Sequence, residues 1–151
     1  MAQEKAEVMG TDASRILVLD ANILIRAALG IRVRRILENY AGAVSFFVPH
    51  LALLEAREHL ATLVTGRGGD PAKALRLLDA MVGLVDLVSP DIYSCHETEA
   101  KKRLGSRDPD DSPILASALA PGCPIWTEDT DFFACGVATG TSSRVEIFLG
   151  D

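Results

Sequence analysis

Cysteine is scarce in this 151-residue chain: there are three, Cys95, Cys123 and Cys135, an odd number with no C-x-x-C pair. That argues against a disulfide-stapled scaffold and a zinc knuckle, and points to a reducing compartment. Long apolar runs are also missing, since charges or prolines interrupt each one before the roughly 20 residues that cross a bilayer. The first fourteen residues, MAQEKAEVMGTDAS, have no apolar core and read as a loose tail, not a signal peptide. Repeats and low-complexity tracts are absent. A cytoplasmic protein without membrane contact is the expectation. Several catalytic signatures are missing too: G-x-S-x-G, G-x-x-x-x-G-K-[ST] and G-x-G-x-x-G. What is present is a globular composition, 48% apolar and 24% charged, sized for one domain over residues 15–151. A domain of that length buries roughly 70% of its unfolded-chain surface and needs no staple to fold.

Basic residues are absent from a long stretch. Between Asp108 and Ser143 there is no Lys or Arg, yet Asp108, Asp110, Asp111, Glu128, Asp129 and Asp131 all fall there. The other 15 of the 21 acids match the 15 bases, so this segment carries the whole net charge of −6. Carboxylates gathered without counter-charges repel unless they stand apart or share a cation. The opposite asymmetry follows the first apolar run, where Arg26, Arg32, Arg34 and Arg35 occur with no acid between Asp20 and Glu38. An acidic pocket beside a basic patch suits metal ions and a phosphate backbone held side by side. A solvated helix surface explains the arginines equally well.

The run RILVL at 15–19 predicts a strand buried on both faces of a parallel sheet. Short helices are expected at 22–28 and 33–40, a strand at 45–48, and a helix over 50–65 that ends in Gly66-Arg67-Gly68-Gly69. Asp70-Pro71 reads as a cap and first turn opening a helix to Val82. A strand at 84–88 precedes a helix over 91–104, with Glu97 and Lys101 spaced for an ion pair. Asp110 or Asp111 caps a helix through Leu119, a strand follows at 124–127, then a helical turn near Asp131 and a last strand at 145–149. Strands alternating with helices give an α/β fold: a three-layer, Rossmann-like parallel sheet with helices on both faces.

In such a sheet, sites lie beyond the carboxyl ends of the strands. Asp20 ends the first strand, Asp129 follows the strand PIWT with Asp131 two residues on, Asp111 opens the preceding helix, and Glu55 lies a turn and a half into the helix after the second strand. An Asp at a strand–helix junction is often only an N-cap. Asp20 resists that reading, because it closes a buried central strand with no glycine-rich loop after it. Glu55 shares a helical face with Leu51 and Ala52, so partial burial is expected, at a cost for a lone carboxylate. Four acids from four parts of the chain favour a divalent-metal site over four independent caps. All-carboxylate ligation without a Cys or His cluster suits Mg²⁺ or Mn²⁺ and metal-assisted phosphodiester hydrolysis. His59, four residues after Glu55, has no second histidine nearby. His50 and His96 read as surface or capping residues.

VLDANILI at 18–25, VPHLALLEA at 48–56, DDSPILASALA at 110–120 and PIWTEDTDFF at 124–133 resemble, in order and spacing, the motifs of PIN-domain ribonucleases. The resemblance runs from about Arg15 to Leu149. It implies a PIN-like fold whose carboxylate pocket binds Mg²⁺ or Mn²⁺ and cleaves single-stranded RNA. By position, Asp20 matches the acid of the first motif and Asn22 its supporting polar residue. Glu55 matches the mid-chain acid, Asp111 the acid opening the later helix, Asp129 the acid after the T-x-D strand, and Asp131 a fifth, more variable acid. Thr127 matches a residue lining the pocket. The doubled Asp110-Asp111, with Asp108 before it, leaves open which of the three ligates. Many small members are toxins of VapBC-type toxin–antitoxin pairs, which dimerise and are blocked by an antitoxin protein, so a homodimer and an antitoxin partner are implied for this chain.

The expectation is therefore a metal-dependent endoribonuclease, with Asp20, Glu55, Asp111 and Asp129 holding the metal and Arg26, Arg32, Arg34 and Arg35 steering the RNA. The alternative is a PIN-fold binding module, for RNA or protein, without activity. A phosphoryl-transfer enzyme using Asp20 as nucleophile needs a D-x-D-x-T pattern or a late Lys, and no Lys follows Lys102.

Overall fold

Strand β1 (Ile16–Leu19) is the centre of the molecule, with Leu17, Val18 and Leu19 essentially inaccessible to solvent. The computed structural model describes residues 15–108, 111–132 and 134–149. The expected tail over residues 1–14 and the candidate Asp110 lie outside the described residues. After β1 come α1 (Ala21–Leu29), α2 (Arg32–Tyr40), β2 (Ser45–Pro49), α3 (His50–Gly66), α4 (Pro71–Val82) and β3 (Asp86–Val88). Then follow α5 (Pro90–Tyr93), α6 (Glu97–Leu104), α7 (Ser112–Leu119), β4 (Ile125–Trp126), β5 (Thr139–Gly140) and α8 (Glu146–Leu149).

The five strands pair in parallel in the order β3-β2-β1-β4-β5. The first three strands step outward in one direction, and the chain then crosses back to place β4 on the other side of β1. Val18 stands opposite Ile125 and Leu19 opposite Trp126. The order thus reverses between β1 and β4, and their carboxyl ends, Leu19 and Trp126, form the switch point where α/β sheets present their sites. Helix α7 is buried on nearly every side, Ser112 through Ala118, and packs on β1, β2 and β4. Helices α3 and α4 pack against α1 and each other.

Local chemistry explains the boundaries. Asp70 accepts a hydrogen bond from the Ala72 N–H at 3.0 Å and Pro71 takes the first turn of α4, as its sequence predicts. Three expectations need correction. The helix expected over 91–104 is interrupted by a 3₁₀ turn at Ser94–His96, where Ser, Cys and His are poor helix formers. The ion pair on α6 is Glu99–Arg103 at 2.8 Å, one turn spaced, in place of the expected Glu97–Lys101. The last strand is not at 145–149. That segment contains α8, with Val145 and Leu149 buried at a spacing of four, the helical period. The fifth strand is the two-residue Thr139–Gly140, which offers no apolar run to read.

Candidate metal centre at the switch point

Asp20 follows β1 directly, so the register of the central strand sets its place. Its Oδ1 accepts the Ile23 N–H at 3.1 Å, which makes it the N-cap of α1, and its Oδ2 accepts the Thr127 hydroxyl. Thr127, just past β4, also accepts the Asp129 N–H through Oγ1 at 2.9 Å. One buried hydroxyl thereby ties the ends of the two switch-point strands together. Burial drives the Asp20 carboxyl up from its ordinary 3.8 to about 6, and the Asp129 charge adds to the rise; the Thr127 and Ile23 hydrogen bonds oppose it.

Asp111 behaves differently. It occupies the cap position of α7 but has helical backbone angles and makes no capping hydrogen bond. Its Oδ2 is buried and has no hydrogen-bond partner. Burial raises the carboxyl to about 7, and the charges of Asp129, Asp108, Asp131 and Asp20 push the same way. A carboxylate held in that state is costly unless a cation compensates it. One oxygen each from Asp111, Asp129 and Asp131 lies within 4.8 Å of the other two. Asp129 does carry a local duty, since its Oδ1 accepts the Asp131 N–H at 2.9 Å.

These acids face a pocket of about 140 Å³, lined among others by Asp20, Asn22, Glu55, Asp108, Asp111 and Asp129. The structure therefore brings Asp20, Glu55, Asp111 and Asp129 to one cavity, with Asp131 beside it in the cluster. Glu55 is exposed, contrary to the expected partial burial. Its neighbour Leu51 is itself 49% exposed, while α3 turns Ala52, Leu53, Ala56 and Leu60 inward, so the Glu55 face is not a core face. Asp108 is exposed at the pocket edge. A hard cation such as Mg²⁺ or Mn²⁺ fits this all-oxygen donor set and the unpartnered Asp111 oxygen.

A family profile of the PIN domain matches residues 18–150. The chain belongs to the PIN-domain family. Three solved structures share its fold. PAE2754 of Pyrobaculum aerophilum superposes with a TM-score of 0.64 at 20% identity, over 94% of this chain and 92% of its own. VapBC2 of Rickettsia felis, bound to a DNA fragment from their promoter, gives 0.61 at 16% identity, over 83% of this chain and 98% of its own. FitAcB of Neisseria gonorrhoeae gives 0.58 at 22% identity, over 84% and 98%. No curated protein sequence matches the chain.

The four arginines of this PIN domain separate. Arg26 and Arg32 line a groove of about 540 Å³ beside the acidic pocket, together with Ile25, Leu29 and Glu128, and Asn22 lines both cavities. Burial works against the Glu128 charge, yet Ser142, whose N–H donates at 2.6 Å, and the Arg26 and Arg32 charges hold its carboxyl below the ordinary range. Arg34 turns inward, donating to the carbonyls of Ala27 at 3.1 Å and Ala28 at 3.2 Å, and so caps the end of α1. Arg35 is exposed on α2. Sequence reasoning missed Arg103 and Arg107, which hold the backbone after Asp131 through Cys135 O at 3.0 Å and Asp131 O at 2.5 Å. The available signal was their position: they are the last bases before the base-free acidic segment.

Proposed function

We propose that this PIN domain is a Mg²⁺- or Mn²⁺-dependent endoribonuclease that hydrolyses phosphodiester bonds of single-stranded RNA. The observation that carries the reading is the buried Asp111 Oδ2, which has no hydrogen-bond partner and stands in a three-carboxylate cluster. A helix cap needs no such arrangement. Asp111, Asp129 and Asp131 hold the cation, with Asp20 and Glu55 contributing from the other walls of the pocket. A divalent ion bound there supplies Lewis acidity toward a phosphate oxygen and balances charge that develops in the reaction. The Thr127 hydroxyl keeps Asp20 and the Asp129 backbone in fixed relation. Arg26 and Arg32 hold the RNA backbone along the adjoining groove, a contribution that weakens with salt. Asn22, shared by the two cavities, orients the strand between groove and cluster.

The fold shared with VapBC2 supports a role as the toxin of a toxin–antitoxin pair, with an antitoxin protein and a second copy of the chain as partners. The capping bonds at Asp20 and Asp129 fit equally a catalytically silent binding module of the same fold. Cleavage of a mixed single-stranded RNA pool separates the two, with Mn²⁺ or Mg²⁺ against EDTA, for wild type and Asp20→Asn. The nuclease reading expects metal-dependent cutting that the variant loses while it stays folded. Cutting undiminished in Asp20→Asn or in EDTA contradicts it.

A further inference from the structure

Three carboxylates from two separate segments meet in the cluster, and their mutual repulsion drives those segments apart. Asp111 belongs to the start of α7, whereas Asp129 and Asp131 belong to the turn after β4. Arg107 bridges them. It lies four residues before Asp111, in the turn closed by its own N–H to Leu104 O at 3.1 Å. Its Nη1 donates to the Asp131 carbonyl at 2.5 Å and to Cys135 Sγ at 3.3 Å. One helical turn earlier, Arg103 donates from Nη1 to the Cys135 carbonyl at 3.0 Å while its Nε holds Glu99 at 2.8 Å. Both ends of the 131–135 segment are thus tied to the α6 end of the chain. The next residue, Gly136, has φ +84°, which favours glycine, and lies close to the same guanidinium: a Cβ there would stand 2.8 Å from Arg103 Nη1.

We propose that Arg107 is a positioning residue for the carboxylate cluster: its guanidinium clamps the Asp131 carbonyl and the Cys135 thiol so that Asp131 and Asp129 stay within reach of Asp111. It acts through the Asp131 carbonyl and the Cys135 thiol, not as a ligand itself. Its cationic hydrogen bond fixes the span that the ion must close, so the ion does not do that work on binding. The inference rests on the cation-site reading above.

The test is Mn²⁺ titration by calorimetry on the full chain, with the melting temperature of the metal-free protein as control. For Arg107→Gln, Mn²⁺ affinity is expected to fall about tenfold or more, the size of loss typical for residues that orient ligands. Arg107→Lys keeps a cationic donor to the Asp131 carbonyl and is expected to stay within about threefold of wild type. The metal-free melting temperatures of Arg107→Lys and wild type should agree. Wild-type affinity in a folded Arg107→Gln, or equal losses in both variants, overturns the proposal. Where Arg107→Gln does not fold, Arg103→Gln carries the test: it releases the segment at Cys135, an affinity loss of about threefold is expected, and none overturns the clamp. A wild-type protein that binds no Mn²⁺ overturns the cation-site reading and this inference together.

Discussion

Asp111 stands at the head of α7 without capping it, and that separates it from the other junction acids. Asp20 and Asp129 each accept a local backbone N–H, so their presence alone decides little. The Asp111 carboxyl has burial and four neighbouring carboxylates working against its charge. Linkage sets the sign of the consequence. Its folded value, about 7, lies above the ordinary 3.8, so the native state binds the extra proton between those values. Stability from this group is therefore present at low pH and lost as pH rises through about 7. Asp111→Asn removes the charge and keeps the shape. In EDTA, melting temperatures of variant and wild type should be similar near pH 4, with the variant increasingly ahead as pH rises to about 7 and beyond, and Mn²⁺ should raise the wild type alone. A constant difference across that range contradicts the electrostatic account. Junction spacing alone marked Asp20, Asp111 and Asp129, because a parallel sheet gathers the residues just past its strands along one edge. The exposure of Glu55 and the clamp by Arg107 were not legible, since both depend on which helix face meets which segment.

At the scale of elements, β1 and β4 build the site, and very little sequence specifies β4. Two residues pair, Ile125 and Trp126, and both are fully buried. Trp126 packs near Phe46 of β2, with ring centroids 6.2 Å apart, and donates from Nε1 to Ser142 Oγ at 3.1 Å. The Ser142 N–H in turn donates to Glu128, so one indole anchors the loop that closes the arginine groove. Trp126→Phe should lose that hydrogen bond and leave unfilled volume, lowering stability by about 1–3 kcal/mol in urea denaturation. A loss within error would show that the loop is held by other contacts. The parallel sheet was readable from the apolar runs of β1 and β2. Strand β5 was not, because two residues carry no periodicity, and α8 reads as a strand from sequence because a short apolar run does not by itself separate helix from strand.

Over the described residues the charge is divided, with Asp108, Asp111, Asp129 and Asp131 around the switch point and Arg26 and Arg32 along the neighbouring groove. Phosphate contacts lose strength with salt in proportion to their number. Replacing Arg26 and Arg32 with Gln should weaken single-stranded RNA binding mainly at low salt and flatten its salt dependence. Arg34→Ala should instead lower stability by about 1 kcal/mol at every salt concentration, because its partners are the carbonyls ending α1. Equal binding losses at all salt concentrations for the Arg26 and Arg32 variant would remove those residues from the RNA path. One claim underlies this chemistry, that Asp111, Asp129 and Asp131 share a cation in the pocket that Asp20 and Glu55 line. Anomalous diffraction from a Mn²⁺-soaked crystal tests it most directly. The expected result is density among Asp111, Asp129 and Asp131, facing the pocket of Asp20 and Glu55. A soaked crystal with that cluster empty, or with Mn²⁺ bound only elsewhere, would contradict it.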